Sequence, residues 1–152
     1  CMSATLPDFG GFRRIVQSQG QITMFYDTGQ GQGWQRNIPM NGAPHLPANI
    51  RQAWGDSRGH WEGNTLVVDT VGFNDLTWFD NYGHLHSDRL HVVERFSVDA
   101  AAGTLTRAYR VEDPLYLKAA YTGQDVLRVS AEPYQKYNCV ELSGKNNIRP
   151  KQ

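Results

Sequence analysis

Residues 57–73, SRGHWEGNTLVVDTVGF, read as a β-hairpin: two runs of strand-forming residues meet at Gly63-Asn64, a two-residue turn signal. Side chains alternate across a strand. Val67, Asp69, Val71 and Phe73 therefore share one face, and Leu66, Val68, Thr70 and Gly72 share the other. A period of two with β-branched residues on both faces points to a strand inside a sheet, so this stretch decides the fold class.

The same pattern extends outward from the hairpin. Upstream, 13–18 and 21–27 flank the turn pair Gln19-Gly20. A glycine-rich connection over 28–33 leads to a strand over 34–40. Residues 41–47 read as irregular chain because Pro44 and Pro47 each remove a backbone donor. Asn49 caps an expected helical turn over 49–54. Downstream, 74–88 is a long aromatic loop. The strand over 89–99 then places Leu90, Val92, Glu94, Phe96 and Val98 on one face and His91, Val93, Arg95 and Ser97 on the other. Strands over 104–112, 124–131 and 134–141 follow, the first stopped by Asp113-Pro114.

This succession of short strands, with no amphipathic helix, predicts an all-β domain. An antiparallel meander closing as a lipocalin-like barrel is expected, with a β-sandwich as the alternative, since either arrangement reduces open sheet edges. Residues 1–142 form a single β domain in this reading and 143–152 a C-terminal arm.

Fifteen Lys and Arg balance fifteen Asp and Glu over 152 residues. Zero net charge argues against nucleic acid, which calls for a basic surface to displace counterions. It also removes the repulsion that keeps monomers apart, so a homo-oligomer or a larger protein assembly is an expected partner state. No apolar run is long enough for a transmembrane segment. The numbering opens on Cys1, so the chain reads as a processed product or an excised domain. Cys1 and Cys139 are the only two cysteines. Paired, they close nearly the whole chain, worth roughly 5 kcal/mol on a chain-entropy argument. Alternatively Cys1 is a lipidated terminus, or both are free thiols. The first two readings imply export to a periplasmic or extracellular location.

Several motifs carry a resemblance. The run GDSRGHWEGNTLVVDT over 55–70, Phe73-Asn74-Asp75, His86-Ser87 with Leu90-His91, Glu94-Arg95-Phe96 and Glu112-Asp113-Pro114 together resemble a signature of exported, β-rich proteins of environmental bacteria. An early cysteine with a late Tyr137-Asn138-Cys139 is similar to that group as well, and the likeness covers about two thirds of the chain. The chain departs from the group in carrying no residues before its first cysteine and in having His84 two residues before His86. The resemblance implies export and a β-rich domain, and it assigns no reaction.

Three sets of residues could carry chemistry. His84, His86 and His91 lie within eight residues, and imidazoles at i and i+2 on an extended chain can chelate zinc or copper, with Glu94 or Asp80 completing the site. The competing reading has His84 turning the loop and His91 packing in the sheet. Asp69 stands among valines and needs a partner, for which Arg95, Arg110 and His91 are candidates. Asp69 with His86 or His91 is then the candidate catalytic set, an Asp–His general base acting without a cofactor. Phe73, Trp78, Phe79 and Tyr82 mark the 74–88 loop as either an end-cap of the core or a ligand and interface surface. No phosphate-binding loop or nucleophile elbow is present.

Two functions follow from these readings. The first is an exported binding or structural module that self-associates or docks in an extracellular complex. The second is a small cofactor-free or metal-dependent hydrolase, lyase or isomerase using Asp69 and the loop histidines.

Overall fold

The computed structural model describes residues 5–6, 12–26 and 34–131, with only the backbone of Phe12 and Arg13. The Cys1–Cys139 pairing, the 28–33 connection, the strand expected over 134–141 and the arm at 143–152 lie outside the described residues. Eight strands run in chain order: β1 Phe12–Ser18, β2 Gln21–Tyr26, β3 Trp34–Pro39, β4 Asp56–Glu62, β5 Thr65–Val71, β6 His91–Asp99, β7 Thr104–Glu112 and β8 Tyr121–Arg128. The quoted hairpin is β4–β5. Its turn has Gly63 at φ 58° and no positive φ at Asn64, the pattern of a Gly-first two-residue turn.

The strands make two antiparallel sheets, one ordered β1-β2-β3 and the other β4-β5-β6-β7-β8. No closed barrel is formed among the described residues. The meander is interrupted between β3 and β4, where Pro39, Pro44 and Pro47 cannot donate to a ladder. β3 lies against β4 through side chains instead. A Cβ on Gly59 would meet Met40 Sδ at 2.4 Å and Ile38 Cγ2 at 2.8 Å, so the glycine is what lets β3 approach.

The helical turn expected over 49–54 is absent, and there is no helix among the described residues. Six residues are too few to nucleate one without strong caps, and their backbone is used elsewhere. Ile50 N donates to Pro47 O at 2.8 Å, and Gln52 bridges to the end of β5 through Gln52 N to Gly72 O and Asn74 N to Gln52 O, both 2.9 Å. Gln52 and Phe73 thus form a parallel bridge.

Leu66, Val68 and Thr70 of β5 and Val92, Glu94 and Phe96 of β6 are buried in the alternation that the sequence sets up, and Val67 on the opposite face of β5 is buried as well. The first core cluster joins the sheets: Ile22, Met24, Tyr26 and Ile38 from the smaller, Leu66, Val68 and Phe96 from the larger. The second, at the far end of the larger sheet, holds Leu6, Phe73, Leu90, Val92 and Val111, with Phe79, Tyr109 and Leu117 packed against it. Asp113 fastens that end. Its carboxylate accepts from Ser87 N at 2.6 Å, Ser87 Oγ at 2.8 Å and Leu115 N at 3.0 Å, tying the 74–88 loop to the turn after β7. No helix is long and apolar enough to cross a membrane among the described residues.

Candidate functional site

Chemistry-bearing side chains gather in two places, one between the sheets and one on the outer face of the larger sheet. The inner set is built by register. Glu94 stands opposite Val68 on β5 and Tyr109 on β7, in the middle of the apolar face. Arg107 stands opposite Phe96 and Asp125. From the smaller sheet, Arg36 points inward between Trp34 and Ile38, and Tyr26 is almost wholly buried.

Burying charges in a core is costly unless they are paired. Here they are paired across the sheets. Arg36 donates from Nε to Ser57 Oγ at 2.9 Å and from Nη2 to Thr70 Oγ1 at 2.8 Å, while Nη1 lies 2.6 Å from Glu94 Oε2 and 3.5 Å from the Tyr26 hydroxyl. Arg107 Nη1 reaches Glu94 Oε1 at 3.4 Å, and its other end holds Asp125, with Nε 2.7 Å from Oδ2. The Arg36–Glu94 contact is close but off the donor direction. Glu94 Oε2 is therefore ion-paired while lacking a directed hydrogen bond. Burial acts to lower the pKa of Arg36, yet the Glu94 carboxylate and the Tyr26 phenol together outweigh it, and the guanidinium is held above its usual value. Burial pushes the Tyr26 phenol up, with the Arg36 charge opposing and Glu94 adding.

Beside this network a cleft of about 370 Å³ opens between β3 and the segment leading into β4. Arg36, Ser57 and Gln52 line it together with β3 at Gln35 and Asn37, whose side chains turn to the opposite face and bond one another at 2.8 Å, and Trp34 and Trp54 face one another edge-to-face with centroids 4.0 Å apart. The two indoles come from opposite walls and bridge them. A mostly formed concavity with aromatic walls and a few converging polar groups is the usual character of a small-molecule site.

The outer set lies across β4 to β7. Asp69 accepts from His91 Nε2 at 2.5 Å, and its second oxygen lies 3.4 Å from His45 Nε2. His45 Nδ1 lies 2.9 Å from Asp56 Oδ2, and Asp56 Oδ1 lies 3.1 Å from Arg58. On the other side Glu112 lies 3.9 Å from His91 Nδ1 and is bonded to Arg110. Acids and bases alternate across the whole row, and the Asp69 and His91 side chains are 41% and 37% exposed. The hydrogen bond from His91 holds Asp69 below its usual 3.8, against the opposing effect of burial. The same bond raises His91 above its usual 6.5, again against burial.

These directions fix a pH dependence. A raised His91 stabilises the fold fully below pH 6.5, and that contribution is lost as pH rises through the folded value. A lowered Asp69 stabilises above pH 3.8, and that contribution is lost as pH falls through its folded value. The pair contributes most between the two. Urea midpoints are therefore expected to fall from about pH 5.5 to about pH 9 in the native protein, and to fall less in His91→Gln. An equal slope in both proteins would show the pair to be without effect.

The structure divides the candidate residues. Asp69 and His91 meet, and His86 goes elsewhere. Its Nε2 lies 2.8 Å from Thr77 Oγ1, and its Nδ1, facing the Ser87 carbonyl at 2.9 Å, carries a proton because a carbonyl only accepts. At 3% exposure it is an interior residue, stacked edge-on against Phe73. His84 sits on the exposed loop against Asp80 at 2.5 Å. The three histidines proposed as metal ligands thus face three different partners. No group of three His, Cys, Asp or Glu side chains arranged to hold a metal occurs among the described residues.

Of the loop aromatics, Phe73 is fully buried, Phe79 packs on the second core and lies 5.9 Å from the Tyr121 ring, Trp78 is half-buried, and Tyr82 is 88% exposed. The other three aromatics cap the core to differing degrees, and of the four only Tyr82 projects into solvent.

Sequence reasoning missed His45, Asp56, the Arg36–Glu94 network and the Trp34–Trp54 pair. Arg36 carried a usable signal: an arginine between Trp34 and Ile38 at a period of two lies on an inward face and requires a buried carboxylate, and Glu94 between Val92 and Phe96 is its counterpart. His45 carried none, because its partners depend on how the 40–55 segment folds back.

No family model, curated protein or solved structure matches the chain.

Proposed function

We propose that this chain is an exported binding module whose ligand site is the Trp34–Trp54 cleft. The observation carrying this reading is the cleft itself: two indoles from opposite walls beside a charge network that fixes Arg36 and Ser57 in place. A network spanning both sheets holds the walls at a constant separation. Binding then requires little rearrangement, which is where affinity is otherwise lost. Export rests on the expected pairing of Cys1 with Cys139 and on the resemblance to exported proteins.

A small-molecule thermal-shift screen tests the reading. A ligand at about a hundred times its Kd adds about 2.7 kcal/mol to stability. The shift is expected to disappear in Trp34→Ala and to persist in Asp69→Asn. A ligand whose shift survives Trp34→Ala and is lost in Asp69→Asn would place binding on the outer face and contradict the reading.

A second reading, a cofactor-free hydrolase, lyase or isomerase, is favoured by the 2.5 Å Asp69–His91 contact on an open face. In it Asp69 orients the ring, and His91 Nδ1, 3.9 Å from Glu112, exchanges a proton with substrate. Turnover that vanishes in His91→Gln and survives Trp34→Ala would carry it.

A further inference from the structure

We infer that the Trp34–Trp54 cleft takes a neutral saccharide of one or two rings. This rests on the binding reading above and names its ligand class. Three features of the cleft select it.

The first is charge. The cations beside the cleft are already committed: Arg36 to Ser57, Thr70, Tyr26 and Glu94, and Arg107 to Glu94 and Asp125. Two guanidinium groups face two carboxylates, so an anionic ligand meets a network without surplus positive charge. A cationic ligand finds no surplus carboxylate either.

The second is the polar lining. Gln52 brings an amide that both donates and accepts, and β3, whose second side is unpaired among the described residues, presents backbone N–H and C=O groups there, while the Gln35 and Asn37 side chains turn to the opposite face and bond one another. Hydroxyl groups also both donate and accept, so a polyhydroxylated ligand satisfies this lining. An apolar or flat aromatic ligand would stack on the indoles but strip the lining of water without replacing its hydrogen bonds.

The third is shape. Trp34 and Trp54 are inclined at 63° and touch across the cleft, which closes one end. An extended peptide pairing along β3 would run into that contact where the strand begins, whereas a compact ring lies against it. A sugar ring presents a C–H-rich face for an indole and a rim of hydroxyls for the polar wall. The volume of about 370 Å³ stands near the lower end for ligand sites, which limits the occupant to a short saccharide.

The test uses the whole chain, with tryptophan fluorescence and calorimetry, against glucose, cellobiose and xylobiose, glucuronic acid, catechol and an alanine-rich pentapeptide. Neutral sugars are expected to bind. Trp34→Ala should weaken them roughly tenfold or more, and Trp34→Phe should weaken them less. Glucuronic acid is expected to bind no tighter than glucose. If catechol or the peptide binds in a Trp34-dependent manner and no sugar does, the ligand class is overturned while the cleft stands. Tighter binding of glucuronic acid than glucose overturns the charge argument and the class with it. If no probe binds the native protein, the saccharide inference falls, and the thermal-shift screen decides the binding reading separately. A circular-dichroism melt of each variant establishes that it is folded.

Discussion

Replacing Glu94 with glutamine is expected to destabilise the domain by about 3–5 kcal/mol, the cost of removing one partner from a buried ion pair. Glu94 is fully buried, and the side chains of Arg36 and Arg107 that face it are only 7% and 8% exposed. Glutamine keeps the shape and one hydrogen-bond acceptor but removes the charge. Arg107 keeps Asp125, whereas Arg36 is left with hydroxyl partners alone. Urea unfolding measures the loss as a lower midpoint at unchanged slope. A double variant, Glu94→Leu with Arg36→Met, should recover much of it, because replacing a buried pair with apolar residues of similar volume is often neutral or better. Such a recovery would mean that stability does not require the network, whose expected role is then to fix the cleft wall. A loss below about 1 kcal/mol for Glu94→Gln would show that water reaches the pair.

Gly55→Ala should cost on the order of 3 kcal/mol, and Gly63→Ala only about 1 kcal/mol. Both glycines have positive φ, 67° and 58°, so both substitutions carry backbone strain. They differ in surroundings. A Cβ at Gly63 meets nothing within 4 Å, while at Gly55 it would lie 2.7 Å from Thr70 Cγ2 and 2.8 Å from the Val71 carbonyl oxygen. The carbonyl belongs to β5 and moves only if the hairpin moves. Because Gly55 also lines the cleft, its substitution is expected to weaken ligand binding beyond the loss of stability. Equal losses at the two positions would mean that strain alone decides, and that β4 and its lead-in are not packed as described.

The strands were readable because their signal is local. The alternation in 65–73 and 89–99 sorted the side chains of β5 and β6 into two faces, and the Gly63-Asn64 and Gln19-Gly20 pairs marked the β4–β5 and β1–β2 turns. What the sequence did not show was set by distant contacts. Nothing local says that β3 packs on β4 through Gly59 and does not extend a single sheet, since that depends on Ile38 and Met40 arriving from across the proline-rich segment. The histidines show the same limit. Their clustering in 84–91 suggested one site, but the loop turns His86 inward to Thr77, leaves His84 outside on Asp80, and gives Asp69 a second partner, His45, from far upstream. Asp69 with His91 was legible because residues two apart in register lie diagonally across neighbouring strands.

The two polar sets differ in kind. The outer row lies on an open face, where the Asp69–His91 pair is pH-dependent and each ring nitrogen of His45 is directed at a carboxylate. The inner network is closed and rigid beside a concavity. A binding function places recognition at the second and leaves the first as a pH-dependent brace between β4, β5, β6 and the 40–55 segment.

Four tryptophans make the central claim directly measurable. Indole N–H resonances of 15N-labelled protein, followed while cellobiose is added, report each ring separately. The signals of Trp34 and Trp54 are expected to move together and saturate, while those of Trp61 and Trp78 stay still. Movement of Trp61 or Trp78 with Trp34 and Trp54 unchanged would contradict that claim.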